Sequence, residues 1–402
     1  MMVYLLITIT LLTLASDFYV WFRFFRRRNK RGWSAAYLVQ AVLLDLVLPA
    51  VFYAVSLRFG RDGSDAQAML WLMWVLLFSF VPKTVFAIFL GINDLLNRIL
   101  RKRWRFFAAA GGVLAVLAAG IMVYGALNGV STIRVNRIVV TSPKVPEAFD
   151  GYRIVQFSDL HIGNLAPSGS LMADMIDTIR SLSPDMIVNT GDLVNIRSSE
   201  ITPDVFRELK RLQAPDGVVS VLGNHDLGIY IPGDDALAER SLNRLKEIQR
   251  ALDWKLLQNE QIWLKRGNDS IAVAGVDFPR NGRNNGVHAV RVGSDLRRAM
   301  RGVDSSHFSV LAAHTPTIWD SIPQVAAPDL TVSGHIHAMQ MKLNLGNCHL
   351  SPAEFLYPQW SGLYVKDGLR LYVNDGVGYV LFPMRIGAPA EVTLFELRRP
   401  AE

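Results

Sequence analysis

The chain has 402 residues, of which half are hydrophobic, and it carries a formal net charge of +7. This length allows two or three domains. The single cysteine, Cys348, excludes an intrachain disulfide and metal sites built from several thiolates.

Four long apolar stretches occupy the first third of the chain. They are Met1–Phe22, Ala35–Leu57, Ala68–Ile92 and Phe106–Leu127. Each has about the 20 residues that an α-helix needs to cross roughly 30 Å of hydrocarbon. Because short charged loops separate them, we interpret them as four membrane spans rather than as buried core helices. The first stretch lacks the basic start of a signal peptide, so it is predicted to be retained.

The loops between these spans differ in charge and predict their orientation. The basic loops contain Arg23, Arg26, Arg27, Arg28, Lys30 and Arg31 after the first span, and Arg98, Arg101, Lys102, Arg103 and Arg105 after the third. Only Arg58 and Arg61, offset by Asp62 and Asp65, lie between the second and third. Short basic loops stay in the cytoplasm, which predicts a cell (inner) membrane protein whose chain after Leu127 is extracytoplasmic. The same charges account for the surplus of +7, so a nucleic-acid partner gains no support.

The remaining chain reads as short strands alternating with helices. Predicted strands are Arg137–Thr141, Ile154–Phe157, Met186–Val188, Val218–Leu222, Ile271–Val276, Phe308–Ala313, Leu330–Val332, Arg370–Val373 and Glu391–Leu397. Predicted helices are Gly169–Leu182, Pro203–Leu212, Ala236–Leu252 and Ser294–Met300. This alternation favours a layered α/β domain. We predict a transmembrane region of four helices at 1–130, a connector at 131–150 and an α/β domain at 151–402.

Polar clusters follow five of the predicted strands. They are Asp159 with His161, then Asp192, then Asn224 with His225 and Asp226, then His314, and finally His335 with His337. Ligands gather beyond the carboxyl ends of strands in open α/β sheets, so the five clusters are expected to converge on one rim.

The chemistry of these clusters suits divalent metal ions. Carboxylates, an amide and imidazoles together match Mn²⁺, Fe²⁺ or Zn²⁺. The donors are about enough for two ions, and a pair of metals is a clamp used to hydrolyse phosphate esters. Asp192 has two oxygens and could bridge the pair. Gly191, Gly223 and Gly334 are typical of sharp turns with close backbone approach.

The order of the motifs resembles the calcineurin-like metallophosphoesterase family. The matching series is DLH (Asp159–His161), GDLVN (Gly191–Asn195), GNHD (Gly223–Asp226), His314 and GHIH (Gly334–His337), within roughly 150–400. The tail Tyr357–Gly378 looks like the membrane-associated bacterial branch of that family. The resemblance implies a four-layer fold, in which two mixed β-sheets are flanked by helices, with a binuclear metal centre.

The resemblance also implies a role for each matched residue. Asp159, His161 and His337 would hold one metal ion, while Asn224, His314 and His335 would hold the other, with Asp192 bridging. Hydroxide generated at the two metals would attack phosphorus in line. His225 would lie over the substrate phosphate, stabilise the developing charge and protonate the leaving oxygen.

This chain departs from the family pattern at Asn195. In much of the family an aspartate at this position pairs with the histidine equivalent to His225. Asn195 can orient the imidazole by a hydrogen bond, but it brings no negative charge that would favour imidazolium. We hypothesise that Asp226 takes over that task.

Several other residues are expected to have no direct role in the metal site. His288, His307 and His349 match no motif and are expected to be structural or exposed, and Tyr357, Trp360 and Tyr364 are expected in the core. The segment Asp277–Gly286 reads as a solvated turn; its alternative is a lid whose Arg280 and Arg283 reach an anionic substrate.

The sequence therefore predicts a multi-pass membrane protein with a two-metal phosphohydrolase domain. Its substrate is expected to be a phosphate mono- or diester, and a lipid or lipid-linked phosphate is attractive because the spans tether the site. Alternatives are a nuclease of the same fold, a metal-binding but non-catalytic sensor or scaffold, and a transporter that uses Asp17 and Asp45 in the spans. The residues do not identify the metal, the substrate or the oligomeric state.

Overall fold

The computed structural model describes residues 2–25, 31–62, 66–165, 170–231, 234–278, 292–346 and 348–400. Arg280, Arg283 and His288 lie outside the described residues, so the predicted lid arginines have no structural counterpart here. The chain divides into two compact units. The first contains Met1–Asn128 with Leu381–Met384, and the second contains Gly129–Val380 with Arg385–Glu402.

The first unit is helical. Its helices are α1 (Met2–Phe24), α2 (Arg31–Val42), α3 (Leu48–Asp62), α4 (Ala66–Leu100) and α5 (Phe106–Tyr124). A π-helical turn, Leu43–Val47, joins α2 to α3, and a second one, Gly125–Gly129, extends α5. Four segments are long and apolar enough to cross a membrane: Tyr4–Phe24, Gly32–Leu57, Ala66–Leu100 and Phe106–Gly129. The four predicted spans are thereby confirmed, and the protein is a multi-pass membrane protein.

Apolar side chains cover the outside of this unit as well as its interior. Phe52 and Leu76 are buried between the helices, whereas Phe106 and Val116 are more than two-thirds exposed. In water such a surface would drive association. In lipid it is the surface that a membrane-spanning helix requires, because hydrocarbon is its solvent.

The second unit is an α/β domain. Its strands are β1 (Ile133–Thr141), β2 (Arg153–Phe157), β3 (Met186–Asn189), β4 (Val218–Ser220), β5 (Trp254–Leu256), β6 (Glu260–Arg266), β7 (Asp269–Gly275), β8 (Ser309–Ala312), β9 (Leu330–Ser333), β10 (Leu343–Leu345), β11 (Cys348–Leu350), β12 (Gly362–Lys366), β13 (Leu369–Val373) and β14 (Ala390–Arg398). Its helices are α6 (Leu171–Ser181), α7 (Pro203–Leu209), α8 (Asp235–Ala251), α9 (Val292–Ala299) and α10 (Ile322–Val325).

The strands form two mixed sheets of six strands each. The first has the order β1-β14-β2-β3-β4-β5, in which β2 to β5 are parallel and β14 is antiparallel to β2. The second has the order β12-β13-β9-β8-β7-β6, with four parallel strands inside and an antiparallel strand at each edge. A separate hairpin, β10–β11, places Leu343 opposite Leu350.

Alternating side chains bury both faces of each sheet. In β3, Met186 and Val188 enter the core between the sheets, whereas Ile187 packs with the helices α6 and α8 on the other face. In β8, Val310 points to the same central core and Leu311 to the cluster with α9 and α10. The period of two along a strand produces this division. The result is the predicted four-layer arrangement of two mixed sheets flanked by helices.

Some elements differ from the expectations. The segment 131–150, predicted as a connector, supplies β1, which pairs in parallel with β14 from Ile133 to Thr141. The strands β5, β6 and β12 were not predicted. β6 is an edge strand with Glu260, Lys265 and Arg266 among its seven residues, so it lacks the apolar run that marks a buried strand.

Candidate metal centre

Parallel strands deliver the predicted ligands to one place. Asp159 and His161 follow β2, Asp192 follows β3, Asn224, His225 and Asp226 follow β4, His314 follows β8, and His335 and His337 follow β9. Because β2, β3 and β4 are parallel neighbours and so are β8 and β9, the carboxyl ends of each set lie on the same edge of their sheet.

Five of these residues have left-handed backbone conformations. The φ values are 54° at Asp159, 45° at His161, 54° at Asp192, 74° at His335 and 54° at His337. Such values are uncommon outside glycine and cost of order 1–3 kcal/mol each. Their concentration among the polar residues after the strands marks this rim as a candidate functional site.

The first cluster contains Asp159, His161 and His337. One ligand atom from each residue lies within 4.8 Å of the others, and all three side chains are buried. The two Nε2 atoms of His161 and His337 are 3.2 Å apart, and His337 Nε2 is 3.2 Å from Asp159 Oδ1. Three donor atoms therefore face a common point.

The second cluster contains Asp192, His314 and His335. Their ligand atoms also lie within 4.8 Å of one another. His314 Nε2 is 3.2 Å from Asp192 Oδ2, 3.1 Å from His335 Nδ1 and 3.1 Å from Asn224 Oδ1. Asn224 thus adds an amide oxygen to this cluster.

Asp192 lies between the two clusters. Its Oδ2 is 3.2 Å from His314 Nε2 and 3.7 Å from His161 Nε2, while its Oδ1 accepts the backbone N–H of His225 at 2.8 Å. One carboxylate oxygen is fixed by the backbone, and the other faces imidazoles of both clusters.

An unpartnered oxygen tests whether a cation fits. Asp159 Oδ2 accepts from Ser158 Oγ at 2.5 Å and from the backbone N–H of His335 at 2.9 Å, whereas the buried Oδ1 accepts no hydrogen bond. Buried polar atoms are almost always partnered. An oxygen left open toward two imidazole nitrogens fits a divalent ion with borderline N and O ligands.

The protonation equilibria agree with this fit. Burial opposes ionisation of Asp159, but His337 and its neighbours lower the pKa of that carboxyl well below its usual range. Burial also lowers the pKa of His161 well below its usual range, and burial with the nearby His314 lowers the pKa of His335 to about 3. Burial opposes protonation of His314, but Asp192 raises the pKa of this imidazole to about 9. At neutral pH the clusters thus offer anionic oxygens and the neutral imidazoles of His161 and His335, whereas His314 must release its proton to bind a metal.

Close backbone approach explains two of the glycines. A Cβ at Gly334 would collide with Ser158 Oγ and Asp159 Oδ2, and a Cβ at Gly223 would collide with Asp192 Oδ1. Any side chain at either position would displace a carboxylate of the site.

His225 is partly exposed, and one of its ring nitrogens lies within 4.8 Å of ligand atoms of His161 and Asp192, so these three residues form a third group that could hold a metal ion. Its ring packs edge-to-face on His161 with the centroids 4.5 Å apart. Its Nδ1 is 2.5 Å from the backbone carbonyl oxygen of Asn195. The side chain of Asn195, expected to orient this imidazole, instead accepts from Asn164 Nδ2 at 2.9 Å. The backbone carbonyl of Asn195 thus provides the contact that its side chain was expected to make.

Asp226 does not take the place of the missing aspartate. Its Oδ2 accepts the backbone N–H groups of Asp192 and Gly223 at 2.8 and 2.9 Å, and its Oδ1 accepts those of Leu193 and Val194 at 2.9 and 3.2 Å. With both oxygens engaged in this way, Asp226 holds the loop that carries Asp192. The hypothesis that Asp226 pairs with His225 is therefore replaced by a role in positioning Asp192.

Sequence reasoning missed two buried residues that support the site. Glu200 accepts the backbone N–H groups of Gly163, Asn195, Ile196 and Arg197 at 2.6–3.1 Å. Arg385 is fully buried, donates to the carbonyls of Asp375, Gly376, Gly378 and Ala388, and has Nη2 3.3 Å from His337 Nδ1. Burial lowers the pKa of Arg385 to about 10. Neither lies in a motif, so local sequence carries no signal for them.

Aromatic rings border the clusters. The ring of Tyr230 lies 4.2 Å from that of His225, and its hydroxyl accepts from Asn224 Nδ2 at 2.9 Å. Phe278 packs beside His314 and His335 with centroids 5.8 and 5.9 Å apart. Tyr357, expected in the core, also contacts His335, at 6.3 Å between ring centroids.

The two histidines outside the motifs that the structure describes lie away from these clusters. His307 pairs with Asp304 at 2.9 Å, and His349 is exposed beside Asn344 at 2.7 Å. Both follow the expectation for structural or exposed residues.

Comparison with known families agrees with the fold and the site. Residues 152–339 match the family model of calcineurin-like phosphoesterases, and residues 2–130 match a model described as a probable calcineurin-like phosphoesterase transmembrane domain. The chain therefore belongs to the calcineurin-like metallophosphoesterases, a class of phosphoester-hydrolysing enzymes, and carries their four-helix membrane domain.

Several relatives share this class. A transmembrane protein with metallophosphoesterase domain from Bos taurus is 31% identical over 292 residues, which cover 70% of this chain and 61% of the relative. The metallophosphoesterase YkuE of Bacillus subtilis is 28% identical over 71% of this chain and 95% of its own length. The UDP-2,3-diacylglucosamine pyrophosphatase LpxG of Chlamydia trachomatis is 27% identical over 65% of this chain and 89% of its own length. This chain thus spans less than two-thirds of the bovine relative.

Proposed function

We propose that this protein is a two-metal phosphohydrolase that cleaves a phosphate ester or anhydride of a lipid or lipid-linked molecule at the membrane. Its membrane region is assigned to 1–130 and its catalytic domain to 151–402, with 131–150 supplying the edge strand β1 of that domain. Asp159, His161 and His337 would hold one divalent ion. Asn224, His314 and His335 would hold the other.

The position of Asp192 carries this proposal. Its Oδ2 faces His314 Nε2 at 3.2 Å and His161 Nε2 at 3.7 Å, so one oxygen serves both clusters. A single-ion site would not require two clusters of donors that share one carboxylate. This arrangement supports two ions of Mn²⁺, Fe²⁺ or Zn²⁺ with Asp192 between them.

The ions would supply water activation and charge neutralisation at the phosphoryl group. The residues of the chain have other tasks. The Asn195 carbonyl accepts from His225 Nδ1, so Nε2 donates to a phosphoryl oxygen or to the leaving oxygen when the ring is an imidazolium. Asp226 and Glu200 fix the loop of Asp192 and Asn195 through backbone N–H groups, so the donors keep their geometry.

Three observations support a lipid-linked substrate. One chain carries four membrane spans and the metal site. LpxG, a relative, is named as a pyrophosphatase of UDP-2,3-diacylglucosamine, a diacylated molecule. Phe355 and Leu356, which are 90% and 60% exposed, lie directly before Tyr357 of the site. Ser351 Oγ donates to the carbonyl of Ala338 at 2.8 Å, which holds this apolar segment beside the loop of His337. Exposed apolar side chains near a phosphate site suit acyl chains.

The orientation of the catalytic domain is part of the proposal. The basic loops after the first and third spans support a domain outside the cytoplasm, because short basic loops stay on the cytoplasmic side. A reporter fused after Glu402 that is active only outside the cytoplasm tests this, and an inactive reporter would reverse the orientation.

Hydrolysis of a chromogenic phosphodiester tests the enzymatic part. Purified full-length protein loaded with Mn²⁺ should release the chromophore, and Asp192→Asn should abolish release. Asp204→Asn is a matched control because Asp204 is exposed and pairs only with Arg207 among the described contacts. If the wild type fails to hydrolyse chromogenic mono- and diesters with any of the three metals, the non-catalytic metal-binding scaffold is the better reading.

A comparison of lipids tests the substrate class. Phospholipids and lipid-linked phosphates should accumulate alike in cells lacking the protein and in cells that carry Asn224→Ala. An unchanged lipid profile alongside altered oligonucleotide turnover would favour a nuclease instead.

A further inference from the structure

A cluster of ionisable side chains lies inside the membrane unit and shares no residue with the metal centre. It contains Asp17 on α1, Tyr37 on α2, Asp45 in the π-helical turn Leu43–Val47, and Lys83 on α4. The side chains of Asp17 and Asp45 are 4% and 0% exposed. Ionisable groups inside membrane helices are costly and mark functional sites.

The two carboxylates are not equally supported. Asp17 accepts from Lys83 Nζ at 2.7 Å through Oδ2 and from the Tyr37 hydroxyl at 2.7 Å through Oδ1. Asp45 accepts only from Lys83 Nζ, at 3.2 Å through Oδ1. Its Oδ2 is buried and has no hydrogen-bond partner. The ammonium and the phenol therefore stabilise a negative charge on Asp17 far better than on Asp45.

The charges of the cluster do not balance. Two carboxylates face one ammonium, so with both carboxylates and the ammonium ionised and Tyr37 neutral the cluster has a charge of −1. Among the side chains that the structure describes, the other elements packed on the π-helical turn supply no further cation to Asp45. An uncompensated carboxylate in a low-dielectric interior is neutralised by binding a cation, and the smallest is a proton.

Two further features surround Asp45. Its turn is π-helical, an irregularity that occurs often at functional sites because it widens the helix locally. Ser79, one helical turn before Lys83 on the same face of α4, is also buried with an unpartnered hydroxyl. Within the cluster, Asp45 Oδ2 thus lies buried without a partner, whereas the Lys83 side chain is 20% exposed.

We propose that Asp45, with Asp17, Tyr37 and Lys83, forms an exchangeable proton-binding site in the membrane unit. In the loaded state Asp45 is a neutral carboxylic acid and Lys83 pairs with Asp17. Release of the proton leaves two carboxylates competing for one ammonium. This site is a second function of the chain, separate from phosphoester hydrolysis.

Infrared difference spectroscopy tests the site in the full-length protein reconstituted in lipid nanodiscs. The wild type should show a carboxylic-acid carbonyl band that disappears as pH is raised and shifts in D₂O. Asp45→Asn should lose this titrating band. Asp94→Asn should keep it, since Asp94 belongs to the same unit but is paired with Arg23 at 2.7 Å and Tyr19 at 3.1 Å.

The remaining outcomes also decide the matter. Absence of a titrating band in the wild type, its survival in Asp45→Asn, or its loss only in Asp17→Asn would overturn the assignment to Asp45. A band that responds to Na⁺ at fixed pH, and not to pH, would replace the proton with a metal cation. Asp45→Glu keeps a carboxylic acid and should move the band without removing it. A thermal unfolding midpoint close to that of the wild type shows that each variant is folded.

Discussion

The metal centre and the membrane cluster bury carboxylates in two different ways. Asp159 and Asp192 face histidine side chains, which bind metal ions as neutral imidazoles, and one oxygen of Asp159 stays open. Asp17 and Asp45 instead share a built-in cation, Lys83. The carboxylates of the metal centre need cations from solution, whereas Lys83 already balances the charge of one of the two carboxylates in the membrane cluster. In both clusters, the charge or the hydrogen-bonding capacity that the partners leave unsatisfied therefore indicates what the buried carboxylates bind.

A third buried carboxylate shows the remaining solution. Glu391 forms no ion pair within 4.0 Å among the described residues. It accepts from the Tyr372 hydroxyl and Thr393 Oγ1, both at 2.7 Å, and from Asn374 Nδ2 at 3.2 Å. Burial, together with the nearby Asp375, raises the pKa of Glu391 to about 7. With hydrogen bonds as its partners, this carboxyl thus keeps a pKa near neutral pH.

The largest effect is expected from a substitution of His225, which tests catalysis separately from metal binding. His225→Asn should lower kcat for the chromogenic diester about 10³-fold, or roughly 4 kcal/mol of transition-state stabilisation. Metal content should not change, because neither cluster depends on this imidazole. His349→Asn is the control, since His349 is exposed. Loss of metal from His225→Asn would make this residue a ligand rather than an acid.

The next effect concerns the charge balance between Lys83 and the carboxylates of the membrane cluster. Lys83→Met should lower stability by about 3 kcal/mol, because it leaves a buried carboxylate without its cation. Adding Asp17→Asn should restore most of the loss. Thermal unfolding midpoints in detergent measure both changes. A double variant less stable than Lys83→Met would contradict the charge balance described above.

Glu391 predicts a pH dependence of stability. Its folded pKa is raised above the ordinary 4.5, so the folded state binds more protons between pH 4.5 and about 7. The stabilising contribution is complete below pH 4.5 and is lost as pH rises through 7. Glu391→Gln should remove this pH dependence, which amounts to a change in the free energy of unfolding on the order of 2 kcal/mol. The difference in unfolding midpoint between the wild type and the variant across pH measures it, with the partly exposed Glu396→Gln as control.

The smallest effect concerns the apolar segment beside the metal centre. Phe355→Ser should raise KM for a diacylated phosphate about fivefold, or roughly 1 kcal/mol of lost apolar contact. The soluble chromogenic diester should be unaffected. Val365→Ser is the control, because Val365 is exposed on a strand and is not part of the Phe355 segment. Equal effects on both substrates would mean that Phe355 supports the fold rather than an acyl chain.

The fold and the clustered residues were largely readable from the sequence. Buried parallel strands such as Met186–Asn189 are continuous apolar runs, and polar residues directly after them mark the sheet edge. Edge strands such as Glu260–Arg266 carry charges and gave no such signal.

The partners of the site residues could not be read in this way. Arg385 lies 48 residues from His337 in the chain, and the fold alone brings them together. Likewise, the spacing of Asn195 and His225 cannot distinguish a side-chain contact from the backbone carbonyl contact that forms.

The number of divalent ions bound per chain tests the central proposal most directly. Elemental analysis of the full-length protein after saturation with Mn²⁺ and desalting should give two ions for the wild type and for Asp204→Asn. Asp192→Asn should give fewer than two, because one carboxylate oxygen faces the donors of both clusters. A wild type that saturates at one ion, or an Asp192→Asn variant that keeps two, would contradict a two-metal centre built around Asp192.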